Sequence, residues 1–282
     1  MRTLKIIAFL GILPLLGTCD RAPEPAETVA ETPASGPKTI EIPTATLQIE
    51  DAPNPAAPGF DAAGSDRLAI VLADSIVKHH GGRPAWDATR FLRFNFLGIR
   101  TLHWDKQEQR VRIDAPRENT VYLLNYGGEE PTGRVRRLGD EVTHPDSLAQ
   151  YLKRANSIFI NDTYWLIHQF KLKDTGVTLK YGGEVRTDPV AKRPSHILDQ
   201  TFRGVGDTPN NRYRLYVDKV NYRINAWEFF RNADDEEPAI RTPWLEYRPY
   251  RGILLSGDRG ERFQLKDITV SANMPDRTFT EF

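Results

Sequence analysis

The stretch Phe-Leu-Arg-Phe-Asn-Phe-Leu-Gly-Ile-Arg-Thr-Leu-His-Trp-Asp, residues 91–105, decides the fold class. Apolar side chains occupy every second position around Phe94 and again at Leu102 and Trp104, with mostly polar residues between them. A period of two is that of a β-strand with one buried face. We therefore interpret the stretch as one long half-buried strand, with a bend or bulge at Gly98.

Working outward, the same strand pattern recurs along the chain, and only a few segments have helical spacing. The further predicted strands are 109–114, 120–126, 177–181, 196–202, 212–218, 222–230, 244–247, 252–256 and 262–270. Helices are predicted from residue 66 to Gly81-Gly82, at a short turn beside Pro84, and over 144–161. Because several strands are joined by short turns, we expect an α+β fold: a large curved antiparallel sheet, an incomplete β-barrel, with two or three helices packed on its concave side.

Aromatic residues fall mostly on the predicted strands, where a curling sheet would turn them toward its concave side. That interior is either a solid core or a ligand cavity, and for any single aromatic residue the core is the simpler interpretation. The candidate residues of a hydrophobic ligand cavity are Phe94, Phe96, Trp104, Tyr122, Trp165, Phe170, Trp227, Phe229 and Trp244.

Composition excludes some functions. The 282 residues hold 38 Lys+Arg and 38 Asp+Glu, so the zero balance gives no electrostatic reason to expect a nucleic-acid partner. The single cysteine, Cys19, excludes a disulfide within the chain and a Cys-rich zinc site.

The N-terminal region has the pattern of an export signal. The apolar run 6–16 follows two basic residues and is too short to span a bilayer. Leu16-Gly17-Thr18-Cys19 resembles a bacterial lipobox, which implies that Cys19 becomes the lipid-modified N-terminus. The alternative is an ordinary cleaved signal with a chance cysteine. We expect a signal peptide over 1–18 and a membrane anchor at Cys19.

Residues 19–65 have the composition of a tether. Eight of residues 20–65 are proline, and eight acidic residues face two basic ones. Such a segment buries too little apolar surface to offset its ordering entropy, so we predict a disordered tether that leads to a folded domain over 66–282.

Several motifs resemble a family of bacterial, Bacteroidetes-type envelope lipoproteins. Its members have a helix ending in His-Gly-Gly, then Trp, then a strand ending in Trp-Asp. The matching segments are 79–86, 91–105, 110–114, 161–166, 170–177, 198–202, 204–209 and 213–218. The family is similar to the outer-membrane lipoprotein carrier LolA and its receptor LolB. This resemblance implies an incomplete barrel that holds acyl chains without chemistry, in a bacterial envelope protein anchored more plausibly to the outer than to the inner membrane.

An enzyme remains an alternative only if titratable side chains meet in one cleft. The candidates are His79, His80, Asp162 and His168. Asn161-Asp162-Thr163 fits the exit of the helix before an apolar strand, and no Gly-x-Ser-x-Gly turn or Walker phosphate loop occurs in the sequence. We therefore predict no catalytic residues, cofactor or metal. A binding protein for a lipid or other hydrophobic ligand is the first hypothesis, and a non-catalytic interaction module of the envelope is the second.

Overall fold

Antiparallel β-sheet forms most of the chain that the computed structural model describes, residues 54–204 and 210–282. The predicted signal, Cys19 and most of the predicted tether lie outside these residues. The strands are β1 Phe91–Phe96, β2 Arg100–Asp105, β3 Arg110–Ala115, β4 Thr120–Asn125, β5 Thr132–Arg137, β6 Asp140–Glu141, β7 Val177–Val185, β8 Ser195–Phe202, β9 Arg212–Asp218, β10 Ile224–Phe230, β11 Ile240–Pro243, β12 Arg248–Tyr250, β13 Ile253–Leu255 and β14 Leu265–Ser271.

The strands form two large sheets and one hairpin. The seven-stranded sheet has the order β14-β1-β2-β3-β4-β5-β6, and the five-stranded sheet has the order β11-β10-β9-β8-β7. Strands β12 and β13 pair only with each other. The helices are α1 Arg67–His79, α2 Gly82–Ala88, α3 Pro145–Ile167 and α4 Arg277–Thr280. Within the described ranges, no helix has both the length and the apolar character to span a bilayer.

The deciding stretch 91–105 is a hairpin and not one long strand. Strands β1 and β2 pair from Phe91 opposite Asp105 to Phe96 opposite Arg100. Leu97 and Gly98 both have positive φ, as the two central residues of a type I′ hairpin turn do. The period of two continues through the turn because paired strands present the same face at opposed positions, which explains why the sequence resembles a single strand.

Helix α3 lies against the inner faces of both large sheets. Its Trp165 ring is 5.9 Å from Phe96 on β1 and 5.0 Å from Trp227 on β10. One turn and a half earlier, Phe159 lies 5.2 Å from Trp104 on β2. The sheets therefore wrap around α3, and the aromatic side chains of both meet at one helix.

The two sheets are joined on one side only. Isolated bridges pair Leu245 with Asp258 and Asp258 with Gln264, and so connect the end of β11 to the start of β14. The opposite edges, β6 and β7, are not paired with each other in the described part of the chain. The predicted α+β class, with a large antiparallel β-surface that does not close and helices inside it, is confirmed.

Arg259 stabilises this junction from inside the core, where 1% of the residue is exposed. Its guanidinium donates hydrogen bonds to Ser256, at 2.8 Å to the hydroxyl, and to the carbonyl of Trp165 near the end of α3. The same group lies 3.5 Å from the ring centroid of Trp244. Burial lowers the pKa of Arg259 to about 9. One side chain thus connects α3, the 256–258 turn and the segment after β11.

Residues 54–65, which composition assigns to the tether, lie against the edge strand β7. The amide of Asp61 donates to the carbonyl of Val177 at 3.0 Å, and that of Gly176 donates to Gly59 at 2.9 Å. Ser65 accepts a hydrogen bond from the amide of Leu179 at 2.9 Å. The folded domain therefore begins before residue 66, because these backbone contacts cover an otherwise unpaired sheet edge.

Candidate functional site

A cavity of about 660 Å³ lies between α3 and the ends of strands β8, β9 and β10. The turn after α3, residues 171–175, forms a third side. Its volume is in the range of small-molecule sites, about 300–1,000 Å³. The side chains around it are Ala57, Arg100, Arg154, Ser157, Ile158, Ile160, Asn161, Tyr164, Lys171, Asp174, Thr175, Phe202, Asn211, Tyr213 and Phe229.

Tyr213 is the centre of the cavity's aromatic wall. Strand register places it directly opposite Phe229 on β10, with ring centroids 5.2 Å apart. Tyr164 of α3 stacks on its other side at 5.9 Å, and Phe202 meets it edge-on at 5.9 Å. Burial raises the pKa of both Tyr164 and Tyr213 well above the usual value, so both phenols are uncharged. The wall is therefore neutral and mostly hydrocarbon.

Behind this wall the packing is solid. Trp227 stacks on Tyr213 at 4.9 Å with nearly parallel rings, and 1% of Trp227 is exposed. The row Tyr213, Trp227 and Trp165 thus passes from the cavity into the core between the sheets. The cavity has a rigid aromatic support on this side.

Charged side chains at the cavity are paired with one another or with close neighbours. Arg154 bonds Glu118 at 2.8 Å, and Lys171 bonds Asp174 at 2.5 Å. These pairs are partly exposed and contribute less than about 1 kcal/mol each. The polar rim is therefore close to electrically balanced, and it surrounds an apolar interior.

The third pair, Arg100 and Asp162, is the most buried. The Asp162 carboxylate is fully buried within α3 and accepts both Nε and Nη2 of Arg100, at 2.6 and 2.9 Å. Burial raises the pKa of Asp162, although Arg100 acts against the rise. The interpretation of Asn161-Asp162-Thr163 as a helix exit is wrong: α3 continues to Ile167, because Arg100 neutralises the acid that would otherwise end it.

A second cavity of about 360 Å³ lies beside the first, between residues 54–58, helices α1 and α2, and the segment 167–174. Its floor is aromatic: Trp86 stacks on Phe170 at 4.6 Å with an interplanar angle of 5°, and Trp104 lies 5.9 Å from Trp86. Val77 adds aliphatic surface.

The nine aromatic residues proposed from sequence divide among three places. Phe229 lines the larger cavity, and Trp104 and Phe170 line the smaller one. The other six lie in the packed core and line neither of these two cavities: Phe94, Phe96, Tyr122, Trp165, Trp227 and Trp244. The sequence places aromatic residues on inner faces, but it does not distinguish those that face a void from those that pack.

The residues that build the larger cavity's wall were mostly missed. Tyr164 lies on the part of α3 that the sequence assigns to a helix exit and a strand, so its position facing β9 was not foreseen. Tyr213 alternates with Arg212 and Arg214 along β9, and this alternation is a signal that could have marked it as inward-facing.

The titratable candidates for an enzyme each have their own surroundings. His80 is buried and its Nδ1 lies 2.7 Å from the carbonyl of Ile76, while His168 is buried with Nε2 2.6 Å from Gln200 Oε1. Burial lowers the pKa of both to about 4, so both are neutral at pH 7. His79 is exposed and its ring is 4.8 Å from Tyr222. Within residues 54–204 and 210–282, no three His, Cys, Asp or Glu side chains form a group that could hold a metal.

No protein-family model and no curated protein matches the chain. Solved structures do resemble it. A DUF1329 family protein from Desulfovibrio piger has a TM-score of 0.41 and 14% identity, over 75% of this chain and 96% of that one. An outer-membrane lipoprotein-sorting protein domain from Vibrio parahaemolyticus has a TM-score of 0.38 and 10% identity, over 74% and 94%. MucB has a TM-score of 0.23 and 16% identity, over 76% and 62%. At these scores and identities, the likenesses carry no argument about function.

Proposed function

We propose that this domain is a non-catalytic binding protein for an amphipathic ligand, whose apolar part occupies the cavity between α3 and the five-stranded sheet. The observation that carries the proposal is the aromatic wall around Tyr213, which the chain's own side chains leave uncovered at a void of about 660 Å³. Burial of apolar surface contributes about 25 cal/mol per Å², so a ligand that covers this wall gains most of its affinity without any charged contact.

The rim of the cavity favours a ligand with a polar end. Ion pairs of Arg154 with Glu118 and Lys171 with Asp174 stand at the mouth, while Ile158 and Phe229 are among the apolar residues inside. A purely apolar ligand would leave its outer end against these charges. A lipid or acylated molecule can place its chain on the aromatic wall and keep its polar group in water.

We also propose that Cys19 carries a lipid and that the tether joins this anchor to the domain, so that binding takes place close to an envelope membrane. Two or more acyl chains anchor a protein stably, at about 0.8 kcal/mol per buried CH₂. Metabolic labelling with an alkyne fatty acid tests the anchor: the wild-type chain should carry the label and sediment with membranes, and Cys19→Ser should lose both properties. A labelled Cys19→Ser chain contradicts the assignment.

Ligand retention tests the binding function itself. The full chain with Cys19→Ser is purified without detergent from bacterial cells, and its organic extract is analysed by mass spectrometry. We expect a lipid in an amount close to that of the protein. In the same background, Ile160→Glu places a charge in the cavity wall and should abolish retention, whereas Ala149→Glu, on an exposed position of the same helix, should not.

Two outcomes contradict the binding function. One is the absence of lipid from every variant, and the other is equal retention by Ile160→Glu and Ala149→Glu. In the first case, cross-linking in intact cells that traps a protein at the domain would favour the interaction module instead.

A further inference from the structure

The two cavities have a shared boundary. Three residues line both of them, Ala57, Lys171 and Asp174. Ala57 belongs to residues 54–60, which we call the strap, and the other two belong to the turn after α3. The partition between the cavities is therefore one alanine and one ion pair of 2.5 Å.

This partition is weakly held. Lys171 and Asp174 are about a third exposed, and a pair of this kind contributes less than about 1 kcal/mol. The strap itself is fixed mainly by single hydrogen bonds: the Ala57 amide to the carbonyl of Lys173 at 2.9 Å, and the Thr175 hydroxyl to the carbonyl of Pro58 at 2.7 Å. Few buried apolar contacts accompany them, since most of the strap is exposed. Segments of this kind open at low free energy.

The smaller cavity is suited to hydrocarbon and not to a polar group. Its floor is the stacked pair of Trp86 and Phe170, next to Trp104. The cations near it are engaged by acids: Lys173 bonds Asp74 at 2.6 Å. A ligand atom that reaches this floor gains apolar contacts only.

We infer that the two cavities are one site for a linear acyl chain, which enters along the aromatic wall around Tyr213 and ends on Trp86 and Phe170 after passing beneath the strap at Ala57. The inference rests on the proposed function. A single alanine separates the two voids, so a thin flexible chain can pass where a rigid ring system cannot. The strap must lift for the chain to pass, which makes residues 54–60 a determinant of ligand length.

Chain-length dependence tests the inference. The full chain with Cys19→Ser is titrated calorimetrically with n-alkylphosphocholines of about 8 to about 16 carbons, below their micelle concentrations. Each added methylene that reaches apolar surface should tighten binding by about fourfold. We expect this rise to continue over the series. In Ala57→Trp, which fills the partition, affinity should stop rising at the shorter chains, whereas Ala62→Trp, an exposed strap-side control that lines neither cavity, should behave as the parent does.

A disulfide provides a second test that does not depend on the bulk of tryptophan. A Cβ built on Gly59 lies 3.9 Å from the Cβ of Thr175, within the range of disulfides. In Gly59→Cys/Thr175→Cys, oxidation should hold the strap down and stop the rise at shorter chains, and reduction of the same sample should restore it. Gly59 has a positive φ, but the strain of the cysteine is common to both redox states.

The inference is overturned if affinity in the parent chain stops rising at the shorter chains, if Ala57→Trp follows Ala62→Trp, or if the oxidised and reduced double variant give the same slope. In each of these cases the short probes still bind, so the proposed function stands. If no alkyl probe binds at any length, the proposed function fails as well.

Discussion

Arg100 on β2 donates two hydrogen bonds to the fully buried carboxylate of Asp162, 62 residues away on α3, at 2.6 and 2.9 Å. The pair fixes the rotation of α3 relative to the seven-stranded sheet. The same rotation places Tyr164 against Tyr213 on the other side of the helix. The orientation of the cavity wall thus depends on an ion pair at the cavity edge.

Removal of one partner should be strongly destabilising. Arg100→Leu leaves the Asp162 carboxylate buried without its cation, and we expect the free energy of unfolding to fall by about 3–5 kcal/mol. In Arg100→Leu/Asp162→Leu both charges are gone, and most of this loss should be recovered. Urea unfolding of the single and double variants measures the coupling. Losses that simply add would show that the two side chains are not coupled.

Gly81 should tolerate a side chain less well than another glycine of similar backbone conformation. Its φ is +106°, and a Cβ there would lie 2.1 Å from the carbonyl oxygen of Gly252. Gly139 has φ +99°, with nothing within 4 Å of the same atom. Gly139→Ala should therefore cost about 1–2 kcal/mol for left-handed strain alone, and Gly81→Ala clearly more. Thermal and urea unfolding of both variants make the comparison, and equal losses would exclude a role for close packing against residue 252.

Acid should destabilise the protein through its buried histidines. Burial lowers the pKa of His80 from 6.5 to about 4 in the folded state, whereas the unfolded chain takes up the proton near pH 6.5. Between these values the unfolded state binds more protons, so the free energy of unfolding decreases as the pH falls, by about 1.4 kcal/mol per pH unit for each such group.

The matched pair His80→Gln and His79→Gln isolates this contribution. Urea unfolding from pH 7 to pH 4 should give a shallower pH dependence in His80→Gln than in the parent chain. His79→Gln, one residue away on an exposed position, serves as the control. A pH dependence in His80→Gln as steep as that of the parent would show that His80 is not buried as a neutral group.

The sequence predicts the fold class because the period of two is a direct consequence of strands with one buried face, and α1 because its apolar residues share one helical face. It does not predict the turn between β1 and β2. Leu97 has a positive φ, and a leucine there gives none of the usual Asn or Asp signal of a type I′ turn.

Tertiary contacts account for the other differences. The polar group at Asp162 looks like a helix end until Arg100 is brought to it from β2. Residues 54–65 look disordered by their prolines, yet they order on the edge of β7 through backbone hydrogen bonds that composition does not encode. Trp227 and Phe229 lie on one strand face in the sequence, but only packing determines that the first is buried and the second lines the cavity.

The most direct test of the account fills the larger cavity from α3. Ser157 lines it, and Ser147 lies on the same helix but lines neither cavity. Binding of a short n-alkylphosphocholine to Ser157→Trp and Ser147→Trp, both in the full Cys19→Ser chain, is measured by calorimetry. We predict at least about tenfold weaker binding in Ser157→Trp, equivalent to the loss of about two buried methylenes, and unchanged binding in Ser147→Trp. Equal affinities would show that the ligand does not occupy this cavity.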